Sequence, residues 1–189
     1  MKLILPCNIW HEMMALAQLS DPYEITGMGL IELEPDRKTF RVKKLYLPRQ
    51  AVSNVFVETE EAAVNEVVTD VISENIEDAE KLRFRWHSHG AGSVFFSSID
   101  ETDIDNWSAD WVVNLVINNK GEHIARFDMF EPIRVENHPV EVVVDYLDGI
   151  NLTPLRRQLA EKVRRRALTR HKKGGDNLAA KFFGSKKPF

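Results

Sequence analysis

The sequence predicts an α/β fold in which one mixed β-sheet is packed with helices, and three observations carry that prediction. Apolar spacing switches along the chain between helical and alternating periods, in the order helix, strands, helix, strand, helix, strands. The 189 residues are the length of about one domain with trimmings. With 43% apolar and 29% charged residues the composition is that of an ordinary globular protein. No apolar run approaches the roughly 18 residues of a membrane span, so no membrane partner is expected.

The elements follow in order. Ile9 to Leu19, "IWHEMMALAQL", combines good helix formers with an apolar face, and Pro22 prevents its continuation. "EITGMGLIELE" and "TFRVKKLYLP" read as a hairpin around "EPDRK", and "SNVFVET" as a third strand. Glu60 to Asn75 has helical periodicity with acids in its first turn, where the helix dipole favours them. "KLRFRWHSH" reads as a strand, "GAGSVFF" as a loop, and "SIDETDIDNWSAD" as a helix beginning near the serines. Two strands around an Asn-Lys-Gly turn come next, then one or two more in "IRVENHPVEVVVDY", with Pro139 at a turn or edge. Thr153 to about Lys173 reads as a basic helix with Thr153 as N-cap and Pro154 at its first position. The glycine-punctuated remainder is expected to be a flexible tail.

Charge divides the chain. From Leu152 onward twelve Lys or Arg face only Glu161 and Asp176, a balance of +10, which leaves −14 for the first 151 residues. The basic part lacks aromatic interleaving, so nucleic acid is not expected; it reads as a solvated helix with a disordered end or, where it has a role, as a contact for a protein partner or for the acidic body. Cys7 is the single cysteine, which excludes an internal disulfide and fits a reducing, cytoplasmic setting. The opening segment lacks the small-residue cleavage site of a secretory signal.

Chemistry concentrates in "RWHSHGAGSVFFSSIDETD", residues 85–103. In a strand, His87 and His89 project to one face while Ser88 points away and Trp86 packs inward. Two imidazoles at a strand end need one more protein ligand to make a catalytic zinc site with an open fourth position. Asp100 is the natural candidate, because the glycines at 90 and 92 let the chain double back; Asp103 and Asp105 are rivals. The structural alternative for the same residues is helix capping, since Ser97 with Asp100, or Ser98 with Glu101, has capping-box spacing.

These residues resemble the JAMM or MPN domain metalloproteases, whose signature is an upstream glutamate, then His-x-His, seven residues, Ser, two residues, Asp. His87, His89, Ser97 and Asp100 match without insertion or deletion, an accident on the order of one in two thousand at this chain's residue frequencies. "EITGMGLIE" looks like the family's first strand and places the glutamate at Glu24. Many relatives carry proline after the second histidine; Gly90 stands here, and a more mobile loop is expected from it. A basic residue at Arg85 is a second departure.

The resemblance implies an MPN/JAB, cytidine-deaminase-like fold, a mixed curved β-sheet packed with helices. It implies a metalloprotease domain over 1–150, which leaves the basic helix over 151–173 and the tail over 174–189 as read from the residues themselves. It also implies one Zn2+ held by His87, His89 and Asp100, with Glu24 as general base and Ser97 as oxyanion donor. The expected reaction is hydrolysis of a peptide or isopeptide bond after the C-terminal tail of a ubiquitin-like protein, the tail passing Gly90 and Gly92. Two alternatives are a peptidase for another substrate, such as cell-wall peptide, and a non-catalytic scaffold of the same fold. A zinc deaminase would need cysteines in a Pro-Cys-x-x-Cys arrangement, and the chain has only Cys7.

Overall fold

The structure is a computed structural model and describes residues 1–52, 57–59, 61–107 and 109–163. Its first compact unit, Met1–Asp148, contains strands β1 (Lys2–Pro6), β2 (Thr26–Leu33), β3 (Thr39–Tyr46), β4 (Gln50–Val52) and β5 (Val57–Thr59). Later strands are β6 (Phe84–Ser88), β7 (Trp111–Ile117), β8 (His123–Met129) and β9 (Val135–Asp145). Helices α1 (Cys7–Ser20), α2 (Glu61–Glu74) and α3 (Ser98–Asp105), with a short 3-10 turn over Ile76–Lys81, complete it.

Seven strands close into a barrel in the order β1-β3-β2-β6-β7-β8-β9, and β4 and β5 form a separate two-stranded sheet. This corrects the expectation of a mixed curved sheet. Closure depends on β1, which the sequence reading did not assign. Its "KLILP" pairs in parallel with both β3 and β9 and joins the two ends of the sheet. A strand buried in this way shows a continuous apolar run instead of alternation, and five residues of it carry little periodic signal. Leu3 and Leu5 are fully buried there.

Two apolar clusters flank the sheet. In one, Ile9, Trp10, Met13 and Ala17 on a single face of α1 pack with Leu3, Leu5, Phe40, Phe84 and Trp86. In the other, Val67 and Val71 of α2 pack on Met28 and Leu30 of β2 and on Leu82. β2 is therefore covered on both sides, and its site-facing end is held from two directions. Helix α3 differs, because its only buried residue is Ile104.

Pro139 lies within β9, in the stretch that pairs with β8 alone, as its missing N–H requires. Of the third strand expected in "SNVFVET", Val57–Thr59 form β5, and residues 53–56 lie outside those described.

The second unit begins at Gly149, and α4 (Leu152–Lys162) is its described helix. Asn151, not Thr153, is its N-cap: the Asn151 side chain accepts the Thr153 N–H at 3.1 Å. Pro154 thus sits one turn inside the helix start, where its missing N–H costs nothing. The basic stretch beyond residue 163 and the tail at 174–189 lie outside the described residues. Among those described, no helix is long and apolar enough to cross a membrane.

One glycine is dictated by packing. A Cβ on Gly27 would stand 2.2 Å from Nε1 of Trp86, the large buried side chain of β6. Gly27→Ala is expected to destabilise the protein by about 1–3 kcal/mol, the usual cost of overpacking, as read from the urea midpoint. An unchanged midpoint would mean that Trp86 does not fix the spacing of β2 and β6.

Candidate metal centre

The site is assembled by two strand ends and one helix start. β2 and β6 are antiparallel with Thr26 opposite His87, so that continuing the register brings Glu24 alongside His89. Ser88 fixes this junction from behind: it is fully buried, its hydroxyl accepts the Ile25 N–H at 3.2 Å, and its own N–H donates to the Ile25 carbonyl at 2.9 Å. The sequence placed Ser88 off the metal face correctly, but nothing in it indicated Ile25 as the partner.

His87, His89 and Asp100 converge, each offering a ligand atom within 4.8 Å of the others. The Nε2 atoms of His87 and His89 are 3.1 Å apart, and His87 Nε2 lies 3.4 Å from Oδ1 of Asp100. Two ligands each about 2.0–2.1 Å from a tetrahedral zinc stand about 3.3 Å from one another, so both separations match an edge of such a site. The ring of His89 is oriented for this role, because its Nδ1–H donates to the Ser93 carbonyl at 2.8 Å and leaves the Nε2 lone pair free. The donor set fits zinc. Asp103 and Asp105, the rivals to Asp100, turn instead to Arg85 and Arg134.

Asp100 serves the helix and the centre with different oxygens. Its Oδ2 accepts the Ser97 N–H at 2.6 Å, while Ser97 Oγ accepts the Asp100 N–H at 3.2 Å, which completes a capping box. Oδ1 is left facing His87. Ser97 keeps its own hydroxyl hydrogen to donate. Ser98 and Glu101, the other candidate box, is not the one formed.

Burial pushes His87 down from the ordinary 6.5 to about 4; the Asp100 charge opposes that shift, while His89 and Arg85 add to it. The imidazole is therefore neutral and ready to ligate at pH 7. Glu24 is held above the ordinary 4.5, chiefly by burial, with His89 lowering it and Asp100 raising it. Its carboxylate is a stronger base than a solvated one.

A cleft of about 870 Å³ opens over these groups, with Glu24, His87, His89, Ser97 and Asp100 in its lining. Ala91, Gly92 and Ser93 form part of one wall. Gly92 therefore lines the cleft, whereas Gly90 is buried and is not part of the lining. Gly90 has φ +49°, a left-handed conformation that suits glycine, and its carbonyl accepts the Asn119 N–H at 2.8 Å.

The β7–β8 turn also reaches the next two residues. Asn118 Nδ2 donates to the Gly92 carbonyl at 2.8 Å and Lys120 Nζ to that of Ala91 at 3.0 Å. The loop expected to be mobile is thus tied down by three consecutive residues at a distant turn, which the sequence had marked as a turn but not as a partner of this loop. Arg85 is half-buried, lines the cleft and lies 4.9 Å from the ring centre of Trp107.

Comparison with known proteins identifies the family and the fold. The family profile for prokaryotic homologs of the JAB domain matches residues 6–131. The chain belongs to that family; JAB-domain proteins include metalloproteases, and their prokaryotic homologs are often non-catalytic. Among solved structures, the solution structure of protein DSY2949 from Desulfitobacterium hafniense is similar, with a TM-score of 0.52 and 15% identity. The match covers 76% of this chain and 94% of that one, and at this identity it speaks to the fold. No curated protein matches the chain.

The His87 environment makes a pH prediction. In metal-free protein the His87 Cε1–H NMR signal should titrate near pH 4 instead of 6.5. Because the unfolded chain takes up that proton first, the stability tied to neutral His87 is present above about 6.5 and is lost as pH falls from there towards 4. A midpoint near 6.5 would contradict the burial argument.

Proposed function

We propose that the chain is a zinc-dependent metallopeptidase of the JAMM type, hydrolysing a peptide or isopeptide bond after the C-terminal tail of a ubiquitin-like protein. The observation that carries the reading is the pair of ligand-edge distances, 3.1 Å between His87 and His89 and 3.4 Å between His87 and Asp100.

His87, His89 and Asp100 would hold the ion. Zinc bound there would supply Lewis acidity and lower the pKa of a water to about 7. Glu24, whose raised pKa brings it nearer neutrality, accepts the proton of the attacking water and delivers it to the leaving nitrogen. Ser97 Oγ, already oriented by the Asp100 amide, donates its hydrogen to the oxyanion formed on the scissile carbonyl. Such a contact typically contributes about 3 kcal/mol. The small residues Ala91, Gly92 and Ser93 along one wall suit a narrow, glycine-ended chain on the acyl side.

The test is zinc analysis together with cleavage of linear and branched fusions to a ubiquitin-like protein ending in Gly-Gly. Wild-type protein should carry one zinc and cleave, and the double variant His87→Ala, His89→Ala should do neither. Glu24→Gln should retain zinc and lose about 10²–10⁴-fold in kcat. Cleavage by the double histidine variant at the wild-type rate, or wild-type protein free of zinc, would rule the proposal out.

A further inference from the structure

Helix α3 carries Ser97 at its cap and Asp100 in its first turn, yet buries only Ile104. The capping box orders that turn internally but does not attach it to the barrel. Arg85 of β6 and Arg134 hold the later residues Asp103 and Asp105, whereas the attachment of the first turn comes from β8. Arg126 is 3% exposed and Asp128 0%, and they form a two-pronged pair, Nε to Oδ2 at 2.8 Å and Nη2 to Oδ1 at 2.7 Å. Asp128 also accepts the Asn137 N–H at 2.8 Å and lies 3.4 Å from Asn114 Nδ2. This buried charge pair is satisfied without help from α3, as such a pair must be if it is not to be costly.

The third nitrogen, Nη1, nevertheless reaches out of the pair to Oε1 of Glu101 at 2.5 Å. Glu101 directly follows Asp100. The guanidinium also lies 5.2 Å from the ring centre of Phe96, the residue before Ser97, and that ring meets His87 edge-on at 6.4 Å. One rigid cation thus touches the residues on either side of the Ser97–Asp100 segment. Its orientation is set by Asp128 on the barrel and is not left to solvent.

We infer that Arg126 is a positioning residue for the metal centre, holding the first turn of α3 through Glu101 so that Asp100 presents Oδ1 to the ion. The inference rests on the metallopeptidase reading above. Sequence offered a signal: Arg126 and Asp128 share one face of a strand otherwise rich in apolar residues. A charge pair at such spacing inside a sheet needs a buried purpose.

Replacing Arg126 would leave Asp128 unpaired in the interior and could unfold the protein, so the test acts on the half-exposed Glu101. Glu101→Gln removes its charge; Glu101→Asp keeps the charge but is one methylene short of Arg126. Zinc affinity by chelator competition and the urea midpoint of metal-free protein are measured for both and for wild type. Both variants should lose about tenfold or more in affinity, as losses of outer-shell partners do, with the metal-free midpoint unchanged. Three results would overturn the inference: wild-type affinity in both variants, loss in Glu101→Gln alone, or a fall in affinity matched by a fall in metal-free stability. The second would mean a plain charge effect and the third a merely structural contact. Wild-type protein that bound no zinc would remove the metallopeptidase reading as well.

Discussion

The site depends on the antiparallel pairing of β2 with β6. Strand side chains alternate with a period of two, so a slip of one residue would turn His87 inward and Trp86 out. Three contacts exclude that slip. Trp86 lies over Gly27, where no side chain would fit. Ser88 exchanges hydrogen bonds with Ile25 through both its hydroxyl and its amide. Thr26 Oγ1 donates to the Trp86 carbonyl at 3.0 Å. Together they bring Glu24 and His89, distant in sequence, to adjacent strand ends.

The second economy is in the Asp100 carboxylate. A helix start needs acceptors for its free N–H groups, and a cation site needs anionic oxygen. Asp100 meets both needs because its two oxygens face different ways, one to the Ser97 amide and one to His87. Capping therefore does not compete with the metal. By taking up Oδ2 it fixes the carboxylate plane and decides which oxygen is presented.

Most of the centre was legible in the chain. Period-two alternation puts His87 and His89 on one face, and the seven-residue spacing to Ser97 spans a loop and a helix cap. Those are local relations, governed by sterics and short-range hydrogen bonds. β1 was not legible, because a short strand buried between parallel partners has no alternation to detect; with it went the closure of the barrel. The partners of Ser88 and of the glycine loop were hidden for a different reason. Ile25 and Asn118 are joined to the site by pairing register, which one sequence does not encode in any local pattern. The cap of α4 was misplaced by two residues because Asn151 and Thr153 are both good N-caps and only the backbone distinguishes them.

The ties from the β7–β8 turn alter how the glycine loop should be regarded. Asn118, Asn119 and Lys120 bond to the carbonyls of Gly92, Gly90 and Ala91, and Asn119 Nδ2 also reaches Asp21, at the C-terminal end of α1. Turn and loop form one hydrogen-bonded unit. A transplant of residues 90–92 into a homologous scaffold would carry the loop's shape only if the distant turn travelled with it, and drift in either segment would select for compensation in the other.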